Sequence, residues 1–388
     1  MSDDELNDGR VAAEDYRAQR QIVDARASGF EAMTPERFFS WTEENRSKLE
    51  KIARENGAEE AEVEAIVTEY LDTLKALPIG ARFDDLNVTL ILTDVIRRIE
   101  AICSDGKIPI RDGVAYGVAP RLGLEASQLA VMGTRASIIT VSQGFPIFCN
   151  MVSKAVALSL VKKGDQVSWD PVEVRQRLEE HPEIGIFWVQ ILTAYAIDGW
   201  PPDTAAPPLD MVQQFTRLLT LRAMELFAVA HEYGHHIFEH GGSESSDAMR
   251  DDFKDEHEAD IFGRLICLKE GLSVEPPNLY AASGVGAVLM LGALELVRRV
   301  RALLETGVPV AEPRKSHPPL KDRLLAIAGA DEFAHEADRP IFEDLRSCAE
   351  RIIDMVWEFA EPAIRGLHKA GARPQPTSSD VGGWLPGR

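Results

Sequence analysis

From Thr34 almost to Glu100, apolar residues recur at helical intervals: Leu49, Ile52, Ile66, Tyr70, Leu71 and Leu74, then the run from Leu90 to Ile99. Glutamate and lysine fill the intervening positions, the pattern of amphipathic helices with one solvated face. Thr34-Pro35 reads as a helix start, with threonine at the cap and proline in the first turn. Residues 1–30 are charged and poor in large apolar side chains, which predicts a flexible acidic arm, loose or helical. Gly106 to Gly123 reads as a turn-rich crossing. The β-branched stretch in Ala136 to Phe145 predicts a strand that ends in a glycine turn at Gly144.

Helical periodicity resumes over 147–165, with Gly164 closing the segment, and again in Val172 to Leu178 and in the aromatic run Ile184 to Ile197. After the prolines at 201–202 and 207–208, a long helix is expected from Leu209 to about Glu239, stopped by Gly241-Gly242. An acid-rich loop over 243–255 leads into a helix that begins near Glu256 and ends at Gly271. Leu279 to Leu294 is the most apolar run. It falls short of the roughly twenty residues a membrane span needs, so a buried core helix is expected and membrane association is disfavoured. A proline-rich loop over 307–319, a helix from Leu320, further helices over 331–370 and a disordered tail at 371–388 complete an α+β, predominantly helical chain.

Composition narrows the partners more than the fold. Across 388 residues the formal net charge is −21, which disfavours nucleic acid and anionic membranes as partners. The four cysteines are scattered without a CxxC pair, as free thiols are. The acidic start Met1-Ser2-Asp3-Asp4-Glu5 lacks the features of a signal peptide, so the expected location is cytoplasmic.

The chemistry gathers at His231-Glu232-Tyr233-Gly234-His235. Residues four apart lie one turn apart on a helix, so His231 and His235 can hold one cation between them. Glu232 sits beside that cation without ligating it, where a general base belongs. A catalytic zinc ion takes three protein ligands. Glu256-His257-Glu258-Ala259-Asp260 offers the third: Glu256 and Asp260 share one helix face, the first to ligate and the second to accept a hydrogen bond from a ligand histidine. His257 is the competing ligand, and Glu258 is expected to face solvent. His236 and His240 have no expected catalytic role, and His335-Glu336-Ala337-Asp338 repeats the letters of 257–260 by coincidence.

HExxH followed by Glu256-x-x-Ala259-Asp260 resembles the gluzincin peptidases, and in particular the CAAX prenyl endopeptidase and heat-shock membrane protease family. Ser316-His317-Pro318-Pro319 with Arg323 is similar to a downstream block of that family, and Ile138 to Phe145 to the strand before its active-site helix. The resemblance implies a zincin-like metallopeptidase domain over 111–330, with 150–215 as an insertion. It implies one Zn2+ on His231, His235 and Glu256, with Glu232 as general base and Asp260 orienting a histidine. It further implies transition-state stabilisation by His317 and a structural or substrate-side role for Arg323. The expected substrate is a protein or peptide, docked against the edge of the strand near Ile138 to Val141. The alternative from another class is a regulatory or binding protein that keeps a zincin fold with little hydrolysis.

Overall fold

The computed structural model describes residues 3–375, except 32–33, 56–57, 78–79, 111–112, 205, 241–251 and 311–316. The expected glycine stop at 241–242, most of the acid-rich loop, Ser316 and most of the tail therefore lie outside the described residues.

The main core packs around the helix α9 (Met211–Ile237), 27 residues that begin in a capping box between Asp210 and Gln213. Glycines let its neighbours come close. A Cβ at Gly234 would lie 3.1 Å from the Cα of Ala259, and one at Gly263 would lie 3.2 Å from the backbone nitrogen of His231. These two positions bring α10 (Asp252–Ser273) tightly against α9. On another side Gly286 of α12 (Val285–Thr306) meets Ala223, where a Cβ would come within 2.5 Å. Almost every residue of α12 from Val285 to Val300 is buried, which explains its apolar run. No described helix is long and apolar enough to cross a membrane.

The remaining layers close over that centre. α6 (Gly144–Ser159), α8 (Pro182–Ile197) and α14 (Arg339–Lys369) complete the main core. Trp188, Ile191, Leu192 and Tyr195 of α8 are fully buried in it, so α8 shares one core with the HExxH helix. Gly164, expected to close a helix, instead sits at φ +64° in the turn between two short strands, β4 (Val161–Lys163) and β5 (Gln166–Ser168). α7 (Pro171–Glu180) follows them, and α11 (Leu279–Ala282) joins α10 to α12. α13 (Leu320–Gly329) packs on α10.

The sheet holds β1 (Val114–Ala119), β2 (Ala126–Ala130) and β3 (Ser137–Ser142) in the order β1-β3-β2. β1 runs parallel to β3 and β2 antiparallel to it. The strand expected at 136–145 is there, but it is not an edge. β3 is central and buried along its whole length, so a peptide cannot add to it. β1 and β2 are the two edge strands, and α9 packs against β2. β1 falls inside the stretch expected to be turns, because Ala115, Gly117 and Ala119 interrupt its apolar run.

The first thirty residues do not form a flexible arm. α1 (Asp3–Ser28) lies on β1 and buries Ala13, Arg17, Gln21 and Ala25 at intervals of four. Asp84 accounts for the polar pair in that stripe: it accepts from Arg17 Nη1 and from Gln21 Nε2, each at 2.7 Å. α2 (Pro35–Glu44), α3 (Arg46–Glu55) and α4 (Val63–Ala76) form a smaller unit of their own contacts, and α5 (Leu86–Asp105) connects them to α9 and β1. Thr34 caps α2 as expected, accepting from Arg37 N–H at 3.3 Å.

Candidate metal centre

α9 and α10 bring His231, His235 and Glu256 together, with one donor atom of each within 4.8 Å of the others. The two Nε2 atoms are 3.1 Å apart, and each lies 3.5 Å from a Glu256 carboxylate oxygen. A tetrahedral ion with bonds of about 2.0–2.1 Å separates its donors by about 3.3–3.4 Å, so the spacing fits one small cation. The electrostatics agree. Glu256 Oε2 is buried and makes no hydrogen bond; His231 Nε2, His317 Nε2 and Arg323 Nη2 stand 3.5, 3.6 and 3.7 Å from it, so nearby positive charge offsets part of its burial and an ion would supply the missing bond. His257, the competing ligand, is not part of this cluster.

Asp260, fully buried, lies 3.0 Å from His231 Nδ1, so the Nε2 lone pair of that ring points at the cluster. Arg323, at the start of α13, holds Asp260 through Nε at 2.7 Å and Nη2 at 2.5 Å. This bidentate pair is buried on both sides, the geometry in which arginine and carboxylate bind best. Burial disfavours a charged His231, yet the carboxylates of Asp260 and Glu256 outweigh it and lift the ring to about 9.

Glu232 is 5% exposed. Burial pushes its carboxyl up to about 8, against the lowering effect of His231, and it accepts the backbone N–H of Gln128 on β2. Backbone bonds Val131 to Ala136 and Ser142 to Glu125 mark the residues of β2 and its flanks that pair with β3. By the alternation of an antiparallel ladder, Ala126, Gln128 and Ala130 turn their backbone groups away from β3, on the side where Gln128 meets Glu232. His236, fully buried, contacts Ser137 Oγ at 3.0 Å, and Gln128 Nε2 donates to the same hydroxyl at 2.7 Å. It therefore ties α9 to the sheet rather than to the metal cluster.

His317 reaches the site from the segment before α13, its Nε2 3.6 Å from Glu256 Oε2. His335 is exposed, consistent with a chance repeat. His240, given no role by the sequence, lies beside the cluster. His240 is 7% exposed and lies 2.8 Å from His235, Nδ1 to Nδ1. Its Nε2 faces Glu258 at 3.1 Å and Asp255 at 3.5 Å, and Glu258, 38% exposed, faces this histidine as well as solvent. Nothing in the sequence marks this contact, because it depends on how α9 ends.

A cavity of about 590 Å³ opens elsewhere on α9, lined by Leu219, Arg222, Glu225 and Leu226 together with Asp94 and Arg98 of α5. Helical geometry places these positions roughly opposite the ligand histidines. Comparison with protein-family models, with curated proteins and with solved structures finds no match.

Proposed function

We propose that the protein is a zinc-dependent peptidase of zincin-like architecture that cleaves peptide bonds in a protein or peptide substrate. The observation that carries this reading is the convergence of His231, His235 and Glu256 at single-ion spacing, with Glu232 buried alongside and outside the ligand set. Zinc, when bound, supplies Lewis acidity and favours ionisation of a water molecule near neutral pH. Glu232 takes the proton from that water and delivers it to the leaving amine, a role suited to a buried carboxylate that stands beside the ion without ligating it.

The outward backbone groups of Ala126 and Ala130 flank Gln128, so an extended substrate aligns along β2 as an added strand. His317, on the Glu256 side, donates a hydrogen bond to the developing oxyanion. Arg323, engaged by Asp260, serves the site by holding that carboxylate and does not contact substrate.

The test pairs metal content with cleavage. Glu232→Gln should keep its zinc and lose hydrolysis of an unfolded protein substrate by roughly 10²–10⁴-fold, the usual share of a general base. Zinc-loaded wild type that cleaves no peptide bond, or a variant that cleaves as fast as wild type, would refute the reading.

A further inference from the structure

We infer that His240, backed by Glu258, is a positioning residue that orients His235 and sets the affinity of the site for zinc. The inference rests on the zinc reading above but assigns a role to residues which that reading does not use. The end of α9 carries the first argument. His240 N–H bonds to the carbonyl of His235 at 2.9 Å, and Glu239 N–H to that of His236 at 3.3 Å. This is a Schellman turn, in which the residue after the cap adopts a left-handed conformation and is usually glycine. Here that residue is Glu239, at φ +61°. A non-glycine residue in that region is strained by about 1 kcal/mol or more, and such strain collects at functional sites. The turn folds the chain back so that the His240 ring lies against His235, which residues five apart on a continuing helix would not do.

Proton placement carries the second argument. A cation on His235 Nε2 leaves Nδ1 as a hydrogen-bond donor. His240 Nδ1, 2.8 Å away, must then accept, which fixes the remaining His240 proton on Nε2. That nitrogen faces Glu258 Oε2 at 3.1 Å and Asp255 Oδ1 at 3.5 Å. One direction of donation therefore runs from His235 through His240 to a carboxylate. It is the counterpart of the His231–Asp260 bond, with a second imidazole interposed. The far oxygen of Glu258 faces Lys254 at 3.5 Å, which holds the carboxylate in place.

Zinc titration of the metal-free full chain against a chromophoric chelator tests this. Wild type should bind one equivalent. His240→Ala should bind roughly 10–100-fold more weakly, the usual effect of removing the partner of a ligand histidine. His240→Asn, whose side-chain oxygen can still accept from His235, should stay close to wild type, and Glu258→Gln should fall between. The thermal midpoint of the metal-free proteins should be unchanged across the series, which a merely structural role for His240 would not allow. Equal affinity in His240→Ala overturns the inference, as does a loss that follows a lowered midpoint or fails to be rescued by asparagine. Two equivalents in wild type falling to one in His240→Ala would instead make His240, Asp255 and Glu258 an ion site of their own. Wild type that takes no zinc overturns the zinc reading and this inference together.

Discussion

Two glutamates on one helix make an instructive pair. Glu225 and Glu232 lie seven residues apart on α9 and so point in nearly the same direction. Burial pushes both carboxyls up to about 8. Their surroundings differ completely. Glu232 sits under β2, accepts a backbone N–H and neighbours a cluster of metal donors. Glu225 lines a cavity, where the charges of Arg222 and Arg217 offset its burial in part. A perturbed pKa therefore selects neither as catalytic; the proposal for Glu232 rests on the donors gathered around it.

The comparison breaks most readily at the level of activity. Glu225→Gln should cleave at the wild-type rate, against the loss of several orders expected for Glu232→Gln, in the same unfolded-protein assay. Equal losses would mean that the helix, not the site, is being damaged. A smaller effect separates the arginines at the two ends. Arg323→Leu leaves the Asp260 carboxylate buried without its partner, which should cost about 3–5 kcal/mol in denaturant unfolding. Arg222 is exposed at the cavity, and its replacement by leucine should stay within about ±0.5 kcal/mol. Similar losses for the two variants would erase the distinction.

The subtlest test uses pH. A carboxyl raised from 4.5 to about 8 on folding stabilises the folded chain least when it must ionise. Its contribution is fully present below pH 4.5, declines as pH climbs toward 8, and is constant above that. Glu225→Gln should therefore gain stability relative to wild type across that window, with and without zinc. The corresponding gain of Glu232→Gln should shrink when zinc is bound, because a nearby cation favours the ionised carboxylate. Melting curves at pH 5, 7 and 9 would show it, and a zinc-independent difference for Glu232 would sink the contrast.

The sequence made part of this site readable because its geometry is local. One-turn spacing placed His231 with His235, and Glu256 with Asp260, and each pair needs only a helix to be correct. Arg323 was flagged by resemblance alone, since its partner Asp260 is 63 residues away. His240 was beyond reach: its place depends on Glu239 adopting a conformation that sequence assigns to glycine. The same holds for α1, whose buried stripe includes Arg17 and Gln21 and therefore looks solvated until Asp84 is seen beside it. The sheet was half legible. The hydrophobic β3 announced itself, whereas β1 and β2 are short, rich in alanine and indistinguishable from loop by composition. That is why the strand first read as an edge proves to be the centre.

The arrangement around Asp84 has one more consequence. Val118 on the outer side of β1 gives its N–H to Asp84 and receives a bond from Gln21 at its carbonyl, and α1 lies over that flank. Side chains thus close this border of the sheet against edge-to-edge pairing between copies of the chain, the self-association that bare strand edges invite. The opposite border, along β2, is the one where Gln128 meets Glu232. A three-stranded sheet has two borders at which polymerisation can begin, and here one is sealed by the chain's own first helix while the other faces the proposed cleft.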